Sequence, residues 1–338
     1  MVRLKDIAKR AGVSAMTVSK ALRDAPDISI ATRTRIKLLA RQMGYVPDAV
    51  AQGLRSSVTR LFGLVISNTT NPIFARVVMA IEERAHELGY DLLLAHSLNQ
   101  PDREEACIRR MLSRRVQGLF LSPVYRLAPT APIYRELHRL KTPVVLLGHR
   151  APFCEGFVNV ETDDTAASQA LTEHLLQLGH RRIAFFSGPP GCPWAQERLD
   201  GYRQALRTAG LEVDDRLVFN AGATIEDGVR AATQFCQEAP RATAIQAVND
   251  LVAIGVATTL LHQGRRIPQD YSITGFGDVM AAEHFRVPLT TIRQPKYRLG
   301  LAAVEAMLAL ARGEPPPGRR LTGELVVRDS TAPPRQGG

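Results

Sequence analysis

The 338-residue sequence predicts an α/β protein, a small all-α module at the N-terminus followed by two doubly wound lobes of parallel sheet. Three observations predict it. The first 46 residues carry helical apolar spacing and helix caps but no strand pattern. From Leu61 onward, short apolar runs alternate with amphipathic helical stretches, as in a parallel sheet. Those βα units are too many for one sheet, so they divide into two lobes.

The N-terminal module reads as three short helices. The first covers about Leu4–Ala11, with Leu4, Ile7, Ala8 and Ala11 on one face, and Gly12 stands where a left-handed C′ residue ends a helix. Ser14 caps a second helix running to about Leu22. Ser29 or Thr32 starts a third, whose inner face carries Ile36, Leu39, Ala40 and Met43 before Gly44 closes it. "VPDAVAQGLRSSVTR", residues 46–60, reads as a linker holding a very short helix with Asp48 at its N-cap. A helix this short is marginal in water, and Gly53 weakens it by roughly another 1 kcal/mol.

The body then begins. "LFGLVI", "YDLLLAH", "VQGLFLS" and "PVVLLG" are strands separated by helices at about 72–88, 101–114 and 132–140. A second series follows, with helices at 164–178, 195–209, 225–238 and 250–263 and strands "RIAFFSG", "AIQAVN" and "YSITGFG". "PLTTIRQP", a helix at 297–312, a Pro-rich loop and the strand "ELVVR" complete the order, and the tail "STAPPRQGG" reads as disordered.

Charge narrows the function. The net charge is +10, and residues 1–60 hold twelve Lys/Arg against four Asp and no Glu. That segment carries +8 and the other 278 residues +2, so a basic module is joined to a nearly neutral body. This asymmetry points to a polyanion, nucleic acid. Cys107, Cys154, Cys192 and Cys236 lack zinc or redox spacing, which fits a reducing cytoplasm. The N-terminus has no secretory pattern, and no apolar run of membrane-spanning length is present. We find no G-x-G-x-x-G, P-loop, nucleophile elbow or metal-spaced cluster, so an enzyme is not expected and no cofactor is implied. A transport protein with a two-lobed body would need an export signal and no basic headpiece.

On the second helix, Met16, Ser19, Lys20 and Arg23 fall within an arc of roughly 100°, opposite Val18 and Leu22. An apolar inner face with cations and hydroxyls outside suits a recognition helix in a DNA groove. A plain surface bundle is the alternative. Ala15 and Met16 cannot form bidentate hydrogen bonds, so their expected partners are thymine methyl groups.

At these residues the chain resembles the Lac repressor/Gal repressor family of bacterial transcription regulators. "LKDIAKRAGVSAMTVSKAL" is similar to the family's headpiece, "MGYVPDAVAQGLRS" to its hinge, and "GLVISNTTNPIF" to the start of its effector domain. "LGHRRIAF", "ERLDGYRQAL", "AVNDLVAIG" and "GFGDVMAAEHFRVPLTTIRQP" match later blocks in order. The resemblance implies a helix-turn-helix headpiece (1–46), a hinge helix and linker (47–60) and a periplasmic-binding-protein-like effector domain. Its lobes would comprise 61–160 plus 293–323 and 161–292 plus 324–330, with a disordered tail at 331–338. It implies a cytoplasmic homodimer that binds a palindromic double-stranded operator and responds to a small-molecule effector between the lobes.

The implied DNA-binding residues are Ser14, Ala15, Met16, Thr17, Ser19, Lys20, Arg23, Ala51 and Leu54. Leu54 matches a leucine that family members wedge into the minor groove; packing on the body is its alternative. The implied effector residues are Phe74, Asp164, Trp194, Arg198, Asn249 and Asp278. Each has a plainer reading: Asn249 and Asp164 as helix caps, Phe74 and Trp194 as core aromatics, Arg198 as half of a structural ion pair. Asp48 replaces the family's common Asn, and Gly277 replaces an Asp that often bonds the ligand. Loss of that carboxylate points to a sugar acid or sugar phosphate rather than a neutral sugar, unless Gly277 only reshapes the turn.

Overall fold

The computed structural model describes residues 2–46, 59–238, 241–314, 316 and 318–335. The expected hinge helix, with Asp48, Ala51, Gly53 and Leu54, lies outside them. The chain divides into two compact units, Met1–Thr59 and Arg60–Gly338.

The first unit packs α1 (Leu4–Ala11), α2 (Ala15–Leu22) and α3 (Ile30–Gln42) around Ile7, Ala8, Val18, Ala21, Ile36 and Ala40. Gly12 takes the left-handed φ of 68° between α1 and α2. Ser14 Oγ accepts the Thr17 amide at 3.0 Å, and Ser29 Oγ accepts that of Thr32 at 3.3 Å, so both expected caps form. Arg35 closes the bundle by donating to the Ala11 carbonyl at 2.9 Å.

In the second unit, β1 (Leu61–Ile66), β2 (Asp91–His96), β3 (Gly118–Leu121), β4 (Val144–Leu147), β5 (Val158–Thr162) and β11 (Arg319–Leu321) form one parallel sheet in the order β11-β5-β4-β3-β1-β2. One face is covered by α5 (Pro101–Ser113) and α6 (Pro132–Arg139), the other by α4 (Pro72–Glu87) and α12 (Lys296–Ala311). The second lobe holds a parallel sheet of β6 (Ile183–Ser187), β7 (Val218–Asn220), β8 (Ala244–Ala247) and β9 (Ser272–Thr274), ordered β7-β6-β8-β9. Its helices are α7 (Asp164–Gln177), α8 (Pro193–Thr208), α9 (Ile225–Glu238), α10 (Asp250–His262) and the short α11 (Met280–Glu283). A ribbon of β10 (Thr291–Arg293) and β12 (Glu324–Val326) lies against α7. The chain passes between the lobes three times: after β5, between β10 and α12, and between β11 and β12.

Gly201 sets the approach of α7 and α8. A Cβ there would lie 2.2 Å from the Thr165 carbonyl oxygen and 2.9 Å from the Gln169 nitrogen.

Two expectations are corrected. The strands β5, β7, β10 and β11 are absent from the sequence reading: β5 carries polar Asn159 and Glu161, and the other three span three residues each. Residues 331–335 of the tail pack on the second lobe instead of fraying. Ser330 is fully buried and exchanges hydrogen bonds with both backbone groups of Ile273, at 2.8 and 2.6 Å. The Ala332 carbonyl lies 2.9 Å from His180 Nε2, and Arg335 pairs with Asp270 at 2.9 Å. Residues 336–338 lie outside the described ones.

Candidate functional site

The first candidate surface is α2. Ser14, Ala15 and Met16 are exposed, Met16 by 62%, and Thr17 and Lys20 are half-buried. The Ser14 hydroxyl is committed to its cap and lies 2.9 Å from Thr17 Oγ1. Ser19 does not face outward as the helical wheel places it: it is buried, and Arg23 folds back to donate from Nε to the Ser19 carbonyl at 3.1 Å. Lys20 Nζ is ion-paired with Asp27, a partner that no local pattern revealed. Ala51 and Leu54 lie outside the described residues.

The second candidate site is a cavity of about 420 Å³ between the lobes of the body. Its polar groups follow the carboxyl ends of the parallel strands: Ser67 after β1, Ser122 after β3, His149 after β4, Asp164 after β5, Asn249 after β8. Ligand sites in open α/β sheets collect there. That rule applied to the predicted strands would have found His149, a residue the sequence reading missed.

Arg198, on α8, is 7% exposed. Its Nε and Nη2 donate to Asp164 Oδ2 at 3.2 and 3.0 Å, and Nη1 donates to the Val248 carbonyl at 2.7 Å. The guanidinium carbon lies 3.6 Å from the Phe276 ring centroid and 4.9 Å from that of Trp194. Burial pushes the Asp164 carboxyl pKa up, against the pull of Arg198 and His149. A buried guanidinium keeps its charge, so its partner stays ionised. Asp163 caps α7 by accepting the Ala166 amide, so Asp164 is no cap. Asn249 does cap α10, accepting the Val252 amide at 2.8 Å and donating to the Ala223 carbonyl at 3.0 Å, while it also lines the cavity. Phe74 and Trp194 line it too, each also packing on its own lobe's core.

Asp278 is not among the lining residues. Its carboxylate is held by Arg293 Nε at 2.6 Å and Arg328 Nη2 at 2.7 Å. Gly277 has φ 137°, a conformation L side chains rarely adopt, and its carbonyl accepts from buried Lys296. A Cβ at Gly277 would lie 3.3 Å from Asp250 Oδ2. Asp250, which lines the cavity, accepts from Thr291 Oγ1 at 2.6 Å and the Val279 amide at 2.9 Å. The carboxylate absent at 277 therefore has another beside its place. The lining holds Glu161, Asp164 and Asp250 against Arg198 and the titratable His149.

A family model described as bacterial regulatory proteins, lacI family, matches residues 3–48, and a periplasmic binding protein-like domain matches 172–331. The HTH-type transcriptional repressor CytR of Escherichia coli (strain K12) is 32% identical over 330 residues, 97% of this chain and 96% of its own. A Lac repressor dimer bound to operator and the anti-inducer ONPF superposes with a TM-score of 0.87 at 26% identity, covering 98% of this chain and 99% of that one. A complex of the transcriptional regulator CelR with cellobiose gives a TM-score of 0.74 at 29% identity, over 98% and 100%. Among the described residues, no helix is long and apolar enough to cross a membrane.

Proposed function

The chain belongs to the lacI family of bacterial regulatory proteins, DNA-binding transcription repressors and not enzymes, and from that premise we propose that it is a homodimeric repressor of a palindromic operator, governed by a sugar or sugar derivative bound between its lobes. Support for the DNA half is the basic first unit, where Ala15 and Met16 are exposed on a capped helix. In this reading they meet thymine methyls, Arg23 and Lys20 meet phosphate or guanine, and Leu54 wedges into the minor groove.

One observation carries the effector half: the Arg198–Asp164 pair beside Trp194, Phe74 and Phe276 in a cavity of about 420 Å³. Aromatic walls suit the apolar face of a sugar ring, and the paired charges orient its hydroxyls. Three lining carboxylates against one guanidinium favour a neutral sugar over the sugar acid or phosphate that Gly277 pointed to. A ligand that prefers one lobe arrangement shifts the hinge equilibrium, and DNA alters ligand affinity by the same factor.

Removing residues 1–60 tests the reading. Operator retardation in gels is expected to vanish while ligand-induced thermal stabilisation persists; specific operator binding by the truncated chain would refute it. Leu54→Ala is expected to reduce operator affinity by roughly 1–3 kcal/mol and to relax the bend.

A further inference from the structure

The charge of the body is uneven. Residues 109–115 and 135–141, the closing turns of α5 and α6 with the residues just after them, hold seven cations against one acid, Glu136. They carry +6 where residues 61–338 together carry +2, so the rest of the body stands at −4. The two helices cover the same face of the first sheet and are tied by Arg109, which pairs with Glu136 at 2.8 Å. Arg110, Arg114, Arg135, Arg139 and Lys141 are exposed, and among the described residues their side chains have no ion pair or hydrogen bond.

Cations near a helix C-terminus are ordinary, because the macrodipole favours them. The residue just past these two helices is not. Five other helices of the body finish on a left-handed glycine: Gly89, Gly179, Gly210, Gly264 and Gly313. After α5 and α6 stand Arg115 and Lys141 instead, at φ 54° and 52°. A side chain in that region is strained, and glycine would relieve it. Arg60, at φ 46°, is a third cation in the same conformation.

The sheet brings the three together. β1, β3 and β4 are neighbours, with Phe62 beside Gly118 and Leu119 beside Val144. Followed back, that register sets Arg60 beside Val116 and Val116 beside Lys141. At about 4.8 Å between strands, Arg60, Arg115 and Lys141 start from roughly 10 Å of one sheet edge. The chain enters the body at this edge, directly from the basic residues 1–60. The second lobe spends its cations differently. Arg181 donates to the Leu176 and His180 carbonyls at 2.9 and 3.1 Å, and Arg266 pairs with Asp270 at 3.1 Å.

We propose that this edge of the first lobe is a second DNA-contacting surface, which holds the phosphate backbone of the duplex that the helical unit reads. This rests on the DNA-binding reading and extends it to the body. Two features select nucleic acid as the partner. The edge continues, in sequence, a unit that carries +8. Six of its seven cations in the two segments are arginines, whose planar forks match phosphate oxygens. Such contacts add affinity and position the protein, and they carry no sequence information. The strain at Arg115 and Lys141 is then kept for the charge that those positions present to the duplex.

The test uses the full chain and a labelled mixed-sequence duplex of about 40 base pairs, with binding followed by fluorescence anisotropy from about 50 to about 200 mM salt. R110Q/R114Q/R139Q removes three exposed cations. R115G/K141G removes two and relieves two left-handed side chains. Both are expected to bind roughly tenfold more weakly, with a salt dependence shallower by about 0.9 per lost phosphate contact. R115G/K141G is also expected to melt no lower than the parent, which separates lost charge from lost fold. R207Q/R241Q/R265Q removes the same charge from exposed positions of the second lobe. It is expected to change affinity by less than about twofold, because charges beyond a Debye length are screened. Unchanged affinity and salt dependence in both edge variants, or an equal loss in the second-lobe variant, would overturn the proposal. So would unchanged duplex binding with a loss of binding to phosphatidylserine vesicles, which assigns the edge to a membrane surface. A parent chain that selects no sequence from a random duplex library would instead refute the operator reading, while weaker binding of the edge variants to the mixed-sequence duplex leaves the backbone contact standing.

Discussion

In the helical unit, Ala15 and Met16 of α2 and Arg23 at its C-terminal end stand exposed, and Arg23 Nε donates to the Ser19 carbonyl of the same helix. In the two-lobed unit, Arg198 and Asp164 are 7% and 1% exposed, bonded to each other and, through Arg198, to the backbone of β8's neighbour Val248. The difference sets what mutation can do. The exposed side chains of α2 can change partner without changing stability, whereas the cleft residues contribute to the fold they sit in. On the proposed function, such a repressor can exchange operators readily, while a change of effector must also preserve the packing of a buried ion pair.

The most severe way to break this comparison is Arg198→Ala. It strands the Asp164 carboxylate in the interior, and a loss of roughly 3–5 kcal/mol is expected in urea unfolding. Near-parental stability would show that the cleft pair is not structural. Gly201→Ala sharpens the point without touching the cavity. Its Cβ would meet the backbone of α7, so α8, which carries Trp194, Glu197 and Arg198, must shift. A cost of about 1–3 kcal/mol is expected, with weaker effector binding in calorimetry. Met16→Ala is the smallest change. Stability is expected to stay within about 0.5 kcal/mol, while operator affinity falls by roughly 1 kcal/mol, a loss that disappears when the contacted thymine is replaced by uracil.

Local signals carried the helical unit well. Ser14, Ser29, Gly12 and Gly44 mark the helix ends in a way that short-range chemistry dictates, and the expected inner faces are the buried ones. Ser19 escaped because helical angle alone does not fix burial: the residue is buried although it shares the arc of exposed Met16 and Arg23. In the body, alternation of apolar runs and helices revealed most of the strands but not β5, whose Asn159 and Glu161 break the apolar run. The cleft was legible as a set of residues and not as a set of bonds. Arg198 had been open to a ligand role or an ion-pair role, and it takes the ion pair with Asp164, 34 positions earlier, while lining the cavity. Such a pairing follows from the crossing of α7 and α8, which no local spacing encodes. Asp278 shows the reverse: its place in a matching block suggested the cleft, but Arg293 and Arg328 hold it elsewhere.

The C-terminal segment carries a practical consequence. Ser330 alone occupies both the N–H and the C=O of Ile273 on the outer side of β9. That makes the last residues a cover strip over a sheet margin, doing there what a further strand would do. A chain ending at Asp329 would bare those two groups and offer a template for strand addition by another molecule, so shortening this protein from its C-terminus invites aggregation before it alters either recognition surface.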